Sequence, residues 1–523
     1  MREIRQMSTG EKGRRDGFCI NSVAVQPQNG WSVQPSISFI LNILRRYFLQ
    51  ETRQGLQICG ILTDRAPLFQ KQMTQLDEAI ARYHRILESE PHRDLRWVKT
   101  LQEQMEARQL SAGGRLLCPF LRPNFVTQKQ YDSLVKTGEA LLSAVDRMLK
   151  LALASPALLS RMQLFPAEKM LAAIEPGYNL AEVSAQLDLQ INNGSLHVTQ
   201  YSAEAFSGGA WSEGLADLFY DCAPVKEFRR RYNLTRVGKK KPFLQALLKA
   251  YKMFAGAKKP NIAIVEFRNP TGRSEYELYR DYFRGEGYSC ELVTPDQLEY
   301  RNGVLRAGSF DIDLVYRRVN AQEFLLRYTL EHPLLEAYRD HKVCVVNSFR
   351  SELARKKAMF ALLTEESLVA KFPILERKAI REHVPWTRVM RSGKATLANG
   401  KTTEDLVEYV KQHRSKLALR PNDEYTDLQS FTGAEHDEGS WARSVREALR
   451  APYVVQQHVA PARSIFPIMN FGLLEFREMQ VDVQPQAFLG KVAGCSTYVS
   501  SSGPGSYSAS AGIAPTFIID PRN

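Results

Sequence analysis

Four short apolar runs, spaced by a helix pattern and turn signals, constrain the fold of this chain more than any other feature. NIAIVEF (261–267) reads as a buried strand, and CELVTP (290–295), IDLVYRRV (312–319) and KVCVVNSF (342–349) read as three more. Between the first two lies SEYELYRDYFRGEGY (274–288), a helix pattern ended by Gly285 and Gly287. LEYRNGVLRAG (298–308) reads as a hairpin around Asn302-Gly303. Strands alternating with helices predict a parallel sheet over residues 259–350. It lacks a dinucleotide fingerprint, because RNPTGRSEYE and not GxGxxG follows the first strand.

The flanking segments are of mixed type. LDEAIARYHRILESE (76–90) sets Leu76, Ile80, Tyr83, Ile86 and Leu87 on one helical stripe. A second helical block covers 132–162, with Leu134, Leu141, Leu142, Val145 and Met148 turned to the core. AQLDLQINNGSLHVT (185–199) predicts two strands joined at Asn192-Asn193-Gly194, and a helix follows from Gly214 to Arg231. KKKPFLQALLKAYKMFAG (239–256) is a basic amphipathic pattern, read as a packed helix with solvated lysines and not as a membrane-surface helix. SELARKKAMFALLTEE (351–366) predicts one helix, with an end near Lys357 suited to an anion. LALRPN (417–422) and APYVVQQHV (451–459) predict strands, with a helix at VREALRAP (445–452) between them. The low-complexity stretch SSSGPGSYSASAG (500–512) closes on a strand, APTFIID (514–520).

Composition narrows the class of protein. The 523 residues carry a formal charge of +13, and the mean hydropathy is −0.33. The basic residues are spread along the chain, which favours a solvated basic surface over a specific nucleic-acid face. The apolar run Ile37–Leu44 is too short to span a bilayer. Seven scattered cysteines with no CxxC pair fit a reducing cytoplasm, not a disulfide framework or a zinc knuckle. Walker A, HExxH, GxSxG-elbow and RNP patterns are absent.

The ordered set LVYRRV (314–319), VCVVNSFRSELARKKAMFALL (343–363), RPNDEY (420–425), PYVVQQHV (452–459) and the glycine- and serine-rich stretch before APTFIID resembles the circularly permuted ATP-grasp family. That group is related to the synthetase domain of glutathionylspermidine synthase. The resemblance runs from about Phe120 to Asp520 and is strongest over 259–365. It implies an α/β (α+β) fold with a Rossmann-like pre-ATP-grasp domain and an N-terminal helical region. The division it implies is a 1–70 extension, a 71–258 helical region with the metal-strand hairpin, the 259–350 Rossmann-like domain, and a 351–523 lid and core. It also implies ATP and magnesium as cofactors. The reaction is ligation of an amine to a carboxylate activated as an acyl phosphate.

Residues that match the family's positions carry the implied roles. The metal positions fall on Asp188, Gln200 and Ser202, and the last two replace a glutamate and an asparagine; Glu204 is a nearby carboxylate. Magnesium wants hard, mostly anionic oxygen ligands, so the loss of one carboxylate lowers the expected affinity. Nucleotide and phosphate positions fall on Arg318, Lys356, Lys357, Arg420 and Gln457. Arg317, Asn347 and Arg350 persist too, and suit either phosphate contact or sheet structure. After RPNDEY, Thr426-Asp427-Leu428-Gln429 replace the family's Gly-Gly-Lys-Gly, which removes backbone freedom and a cation. Tyr498 stands for an arginine, and Ser506–Gly512 lack the asparagine and most glycines.

These departures predict a catalytically impaired, pseudoenzyme-like relative that acts as a binding or scaffold partner, for instance to an active paralogue. The alternative is an active ligase with an altered site, taking a small amine and a carboxylate.

Overall fold

The computed structural model describes residues 74–522, except 181, 193, 204–207, 239, 255, 269, 271, 424–426 and 502–510. The described residues belong to one compact unit, Met73–Asn523. The run at 37–44, the 1–70 extension, Glu204 and most of the 506–512 stretch lie outside them.

The chain begins with α1 (Gln75–Glu88) and α2 (Arg96–Ala107), then β1 (Asn124–Thr127) and the long α3 (Gln128–Ala154). Both α1 and α3 open on a threonine in a capping box, Thr74 with Asp77 and Thr127 with Gln130. After α4 (Pro166–Ala173) come β2 (Ser184–Asn192) and β3 (Ser195–Ser202), paired as the predicted hairpin. The stretch read as one helix from Gly214 divides, with α5 (Gly209–Asp221) ending at Cys222 and a short turn of helix after it. β4 (Tyr232–Arg236) and the predicted basic helix, α6 (Lys240–Met253), follow.

The alternating segment builds β5 (Ile262–Val265), α7 (Arg273–Gly285), β6 (Cys290–Val293), β7 (Leu314–Arg317), α8 (Ala321–Arg327), α9 (Pro333–Arg339) and β8 (Cys344–Val346). Its strands form a parallel sheet in the order β8-β7-β5-β6, as the alternation predicts. Residues 298–312 add a separate antiparallel meander of three short strands.

The stretch expected to be one helix over 351–366 breaks into α10 (Glu352–Arg355) and α11 (Lys357–Leu363), because Lys356 takes ψ 134. After α12 (Ile374–His383) come β9 (Thr387–Val389), β10 (Leu417–Pro421), β11 (Phe431–Thr432), α13 (Glu438–Ala448) and β12 (Tyr453–Gln457). These strands make a small antiparallel sheet in the order β9-β12-β10-β11, packed on Trp441 and Val445 of α13.

The chain ends in β13 (Arg463–Asn470), β14 (Leu473–Phe488), β15 (Lys491–Ser500) and β16 (Gly512–Pro521). With the early strands they form an eight-stranded sheet in the order β1-β16-β15-β14-β2-β3; β13 pairs β14 and β4 pairs β16. Side chains alternate across a strand, so one face presents Leu187, Leu189, Val481, Val483, Cys495 and Val499 to the main core. There α3 comes close at Gly138, where an added Cβ would lie 3.2 Å from Val492 Cγ2. Over β2 and the middle of β14 the other face carries polar side chains, Gln186, Asp188, Gln190, Asp482, Gln484 and Gln486. The overall fold is mixed α/β.

Candidate functional site

The polar face collects the residues between the apolar ones. Register sets Gln486 beside Gln186, which faces Ser202 across the hairpin, and sets Asp188 opposite Gln200. Asp482 lies opposite Tyr498. The result is a ladder of amides and hydroxyls holding two carboxylates. Gln186 and Gln484 donate amide N–H groups to Asp188 Oδ1 at 3.3 and 3.1 Å. Gln190 donates to Asp482 Oδ1. Asp482 Oδ2 and Gln186 Oε1 are buried with no hydrogen-bond partner. Burial, and then the nearby Asp188 charge, push the Asp482 carboxyl up to about 7.

One cation reaches this ladder from α11. Lys357 Nζ donates to the backbone oxygen of Thr199 at 2.9 Å and to Gln200 Oε1. The break at Lys356 gives each of the two lysines its own environment. Lys356 Nζ lies 2.5 Å from both Glu168 Oε1 and Asp423 Oδ2. Arg355 binds Asp423 and Glu352, and Arg317 binds Glu352 at 2.6 Å. The three cations and three carboxylates of this chain are all buried. Burial alone would raise the Glu352 carboxyl, but the Arg317 and Arg355 guanidiniums beside it hold it below the usual carboxylate range.

The N-terminal end of α11 is already capped. Ala358 N donates to Asn422 Oδ1 at 2.8 Å and Lys357 N donates to Asn422 O at 2.9 Å. Asn422 Nδ2 in turn donates to Met162 O at 2.8 Å. The Asn-Asp of the RPND shoulder therefore docks the small sheet onto the α10–α11 break. The end near Lys357 that looked suited to an anion receives a protein amide.

The remaining predicted residues lie elsewhere. Arg318 follows β7 and is buried, with guanidinium N–H groups 3.0 Å from Tyr276 Oη and Tyr316 Oη, and Glu266 at 3.9 Å. Beside it a cavity of about 260 Å³ opens at the ends of β5 and β6, lined by Glu266, Arg268, Arg273, Tyr276 and Thr294 among others. Tyr276 and Glu266 join the cavity wall to Arg318. The neighbouring Glu275 accepts N–H groups from Gly208 and Ala210 at 3.1 Å each. Burial pushes its carboxyl up, against Arg318 and those N–H groups. Arg420 is half-buried on β10 opposite Val454. Gln457 is exposed on β12, and its N–H donates to Trp386 O at 2.8 Å.

The structure thus brings Asp188, Gln200, Ser202 and Lys357 together on one face. It joins Lys356 to the strand of Arg420 through Asp423, and sets Arg318 at a separate sheet end. Arg317, Asn347 and Arg350 hold the fold. Asn347 bonds Val183 and Ser184 beside β2, and Arg350 bonds the carbonyls of Ala172 and Ala173 that end α4. Sequence reasoning missed Asp482, Gln484 and Gln190. The signal was present in MQVDVQPQAF, where Gln480, Asp482, Gln484 and Gln486 alternate with apolar residues.

The donor set does not fit the magnesium that the resemblance implies. Gln200 offers a neutral oxygen already bonded to an ammonium, and Asp188 already accepts two amide N–H groups. Among the described residues no three His, Cys, Asp or Glu side chains converge as metal ligands. Among them too, no helix is long and apolar enough to cross a membrane.

The architecture has a counterpart among solved structures. A glutathione synthetase-like effector from Globodera pallida, in its apo form, superposes with a TM-score of 0.51 at 12% identity, over 83% of this chain and 98% of that chain. The likeness is one of fold. A protein described as a gamma-glutamylcysteine synthetase from Methylobacillus flagellatus is more distant, with a TM-score of 0.37 at 10% identity over 72% and 84% of the two chains. No protein-family description matches the chain, and no curated protein matches it in sequence.

Proposed function

We propose that this chain is a circularly permuted ATP-grasp protein with little or no ligase activity, working as a binding or scaffold partner. The observation that carries the reading is the engagement of its inherited cations. Lys356 is neutralised by Glu168 and Asp423, and Lys357 is held by Gln200 and Thr199. A ligase of this type needs fixed cations aimed at a phosphoryl group in flight and a metal to carry its charge. Gln200 and Ser202 weaken the metal strand as well. On this reading, residues 259–350 form the Rossmann-like pre-ATP-grasp domain, and any remaining nucleotide contact falls to Arg318, Arg420 and Gln457. An active paralogue is the partner class that the retained scaffold suits.

One observation favours the second reading, an active ligase with an altered site. The cavity beside Arg318 offers Glu266 to an amine, and Arg268 and Arg273 to a carboxylate. ADP release separates the two. The purified chain is incubated with magnesium, ATP and a panel of amino acids and short peptides. The proposal expects no release above background; robust metal-dependent turnover would overturn it.

A further inference from the structure

We propose that the Lys357 ammonium replaces the divalent cation on the polar face of the large sheet, so that this face takes no magnesium. The inference rests on the ATP-grasp reading of the fold. The charge balance is simple. A metal strand with two carboxylates needs a dication to be neutral. Glutamine at position 200 removes one negative charge from the motif, and the ammonium of Lys357 brings a positive charge to the same point. Geometry agrees with charge, since Nζ reaches the oxygen of the substituted residue itself and the adjacent Thr199 carbonyl.

A magnesium ion at that point would meet a cation a few ångströms away and lose its oxygen ligand to it. It also demands near-octahedral hard-oxygen geometry, whereas Gln186 and Gln484 turn N–H groups toward Asp188. A lysine ammonium, a compact charge with three donors, supplies a positive charge in the metal's place while bonding the Thr199 and Gln200 oxygens. If a metal does bind this face, the oxygens open to it are Asp482 Oδ2 and Gln186 Oε1, which are buried without a donor.

The test is Mn²⁺ binding to the full chain without nucleotide, followed by electron paramagnetic resonance. Wild type is expected to show no site that Asp188→Asn or Asp482→Asn removes. Gln200→Glu alone is expected to gain none, because Lys357 pairs with the new carboxylate. Gln200→Glu with Lys357→Met is expected to raise Mn²⁺ affinity about tenfold or more. A wild-type Mn²⁺ site abolished by Asp482→Asn or Asp188→Asn overturns the proposal. So does a folded double variant, checked by circular dichroism, that gains no metal; if that variant does not fold, the wild-type and Gln200→Glu titrations decide. A parallel melting experiment compares ATP with EDTA against ATP with magnesium, and equal shifts are expected. The absence of any ATP shift would sink the nucleotide reading of the fold while the Mn²⁺ titrations still decide the role of Lys357.

Discussion

Lys356 Nζ lies 2.5 Å from Asp423 Oδ2, at a point where both side chains are buried. Asp423 also binds Arg355, so its carboxylate is the anion between two cations. Replacing Asp423 with asparagine leaves those cations under-compensated in the interior. Breaking a buried ion pair from one side typically destabilises by about 3–5 kcal/mol. Urea unfolding of Asp423→Asn should show a loss of that order; a change near zero would mean the network does not hold the α10–α11 break.

Asn422→Ala tests the docking of the RPND shoulder separately. The substitution strips the cap from Ala358 N and leaves Met162 O without its donor. Each orphaned buried group costs about 1–3 kcal/mol. We expect a fall in stability of about 2 kcal/mol or more, measured as a shift in denaturation midpoint at constant m-value.

Asp482 predicts a pH dependence with a definite sign. Its folded pKa, about 7, is above the ordinary aspartate value, so the folded state holds a proton that the unfolded chain has released. Stability from this group is full below pH ~4 and is lost as pH rises toward 7, by a few kcal/mol at most, from ~1.4 kcal/mol per unit. Asp482→Asn keeps an acceptor for Gln190 and cannot ionise. The variant should be more stable than wild type at pH 7.5, and this advantage should vanish near pH 4. Parallel stability–pH curves for the two proteins would refute the assignment.

Packing alone explains a glycine at position 512. A Cβ there would lie 2.3 Å from Leu117 O, the same carbonyl that accepts the Ile513 N–H. Gly512→Ala should destabilise by about 1–3 kcal/mol through overpacking. Thermal melting without nucleotide is sufficient to check it.

What the sequence disclosed follows the range of each interaction. The parallel sheet of β5–β8 and the hairpins at Asn192–Gly194 and Asn302-Gly303 were legible because strand alternation and turn chemistry are local. The break at Lys356 was not, because its cap, Asn422, comes from a distant strand. The pairing of Lys356 was hidden for the same reason, since Glu168 and Asp423 lie 188 and 67 residues away. At the site, the register of the hairpin places Asp188, Gln200 and Ser202 on one face. Motif position did not reveal that a lysine would bond Gln200, or that Asp482 would share the face. Both facts depend on which strand lies beside which, and the large sheet joins strands from opposite ends of the described residues.

That sheet also sets a timetable for biosynthesis. β1 pairs with β16 through Asn124 and Thr516, so it emerges from the ribosome about 390 residues before its partner, a separation of the kind that slows folding. The β2–β3 hairpin likewise waits for β14. Throughout that interval the early strands have unpaired edges and an uncovered apolar face, the surface on which nascent chains associate with one another. Closure of the large sheet is therefore a late event, and the yield of this protein in a cell should depend on what shields those strands until β16 arrives.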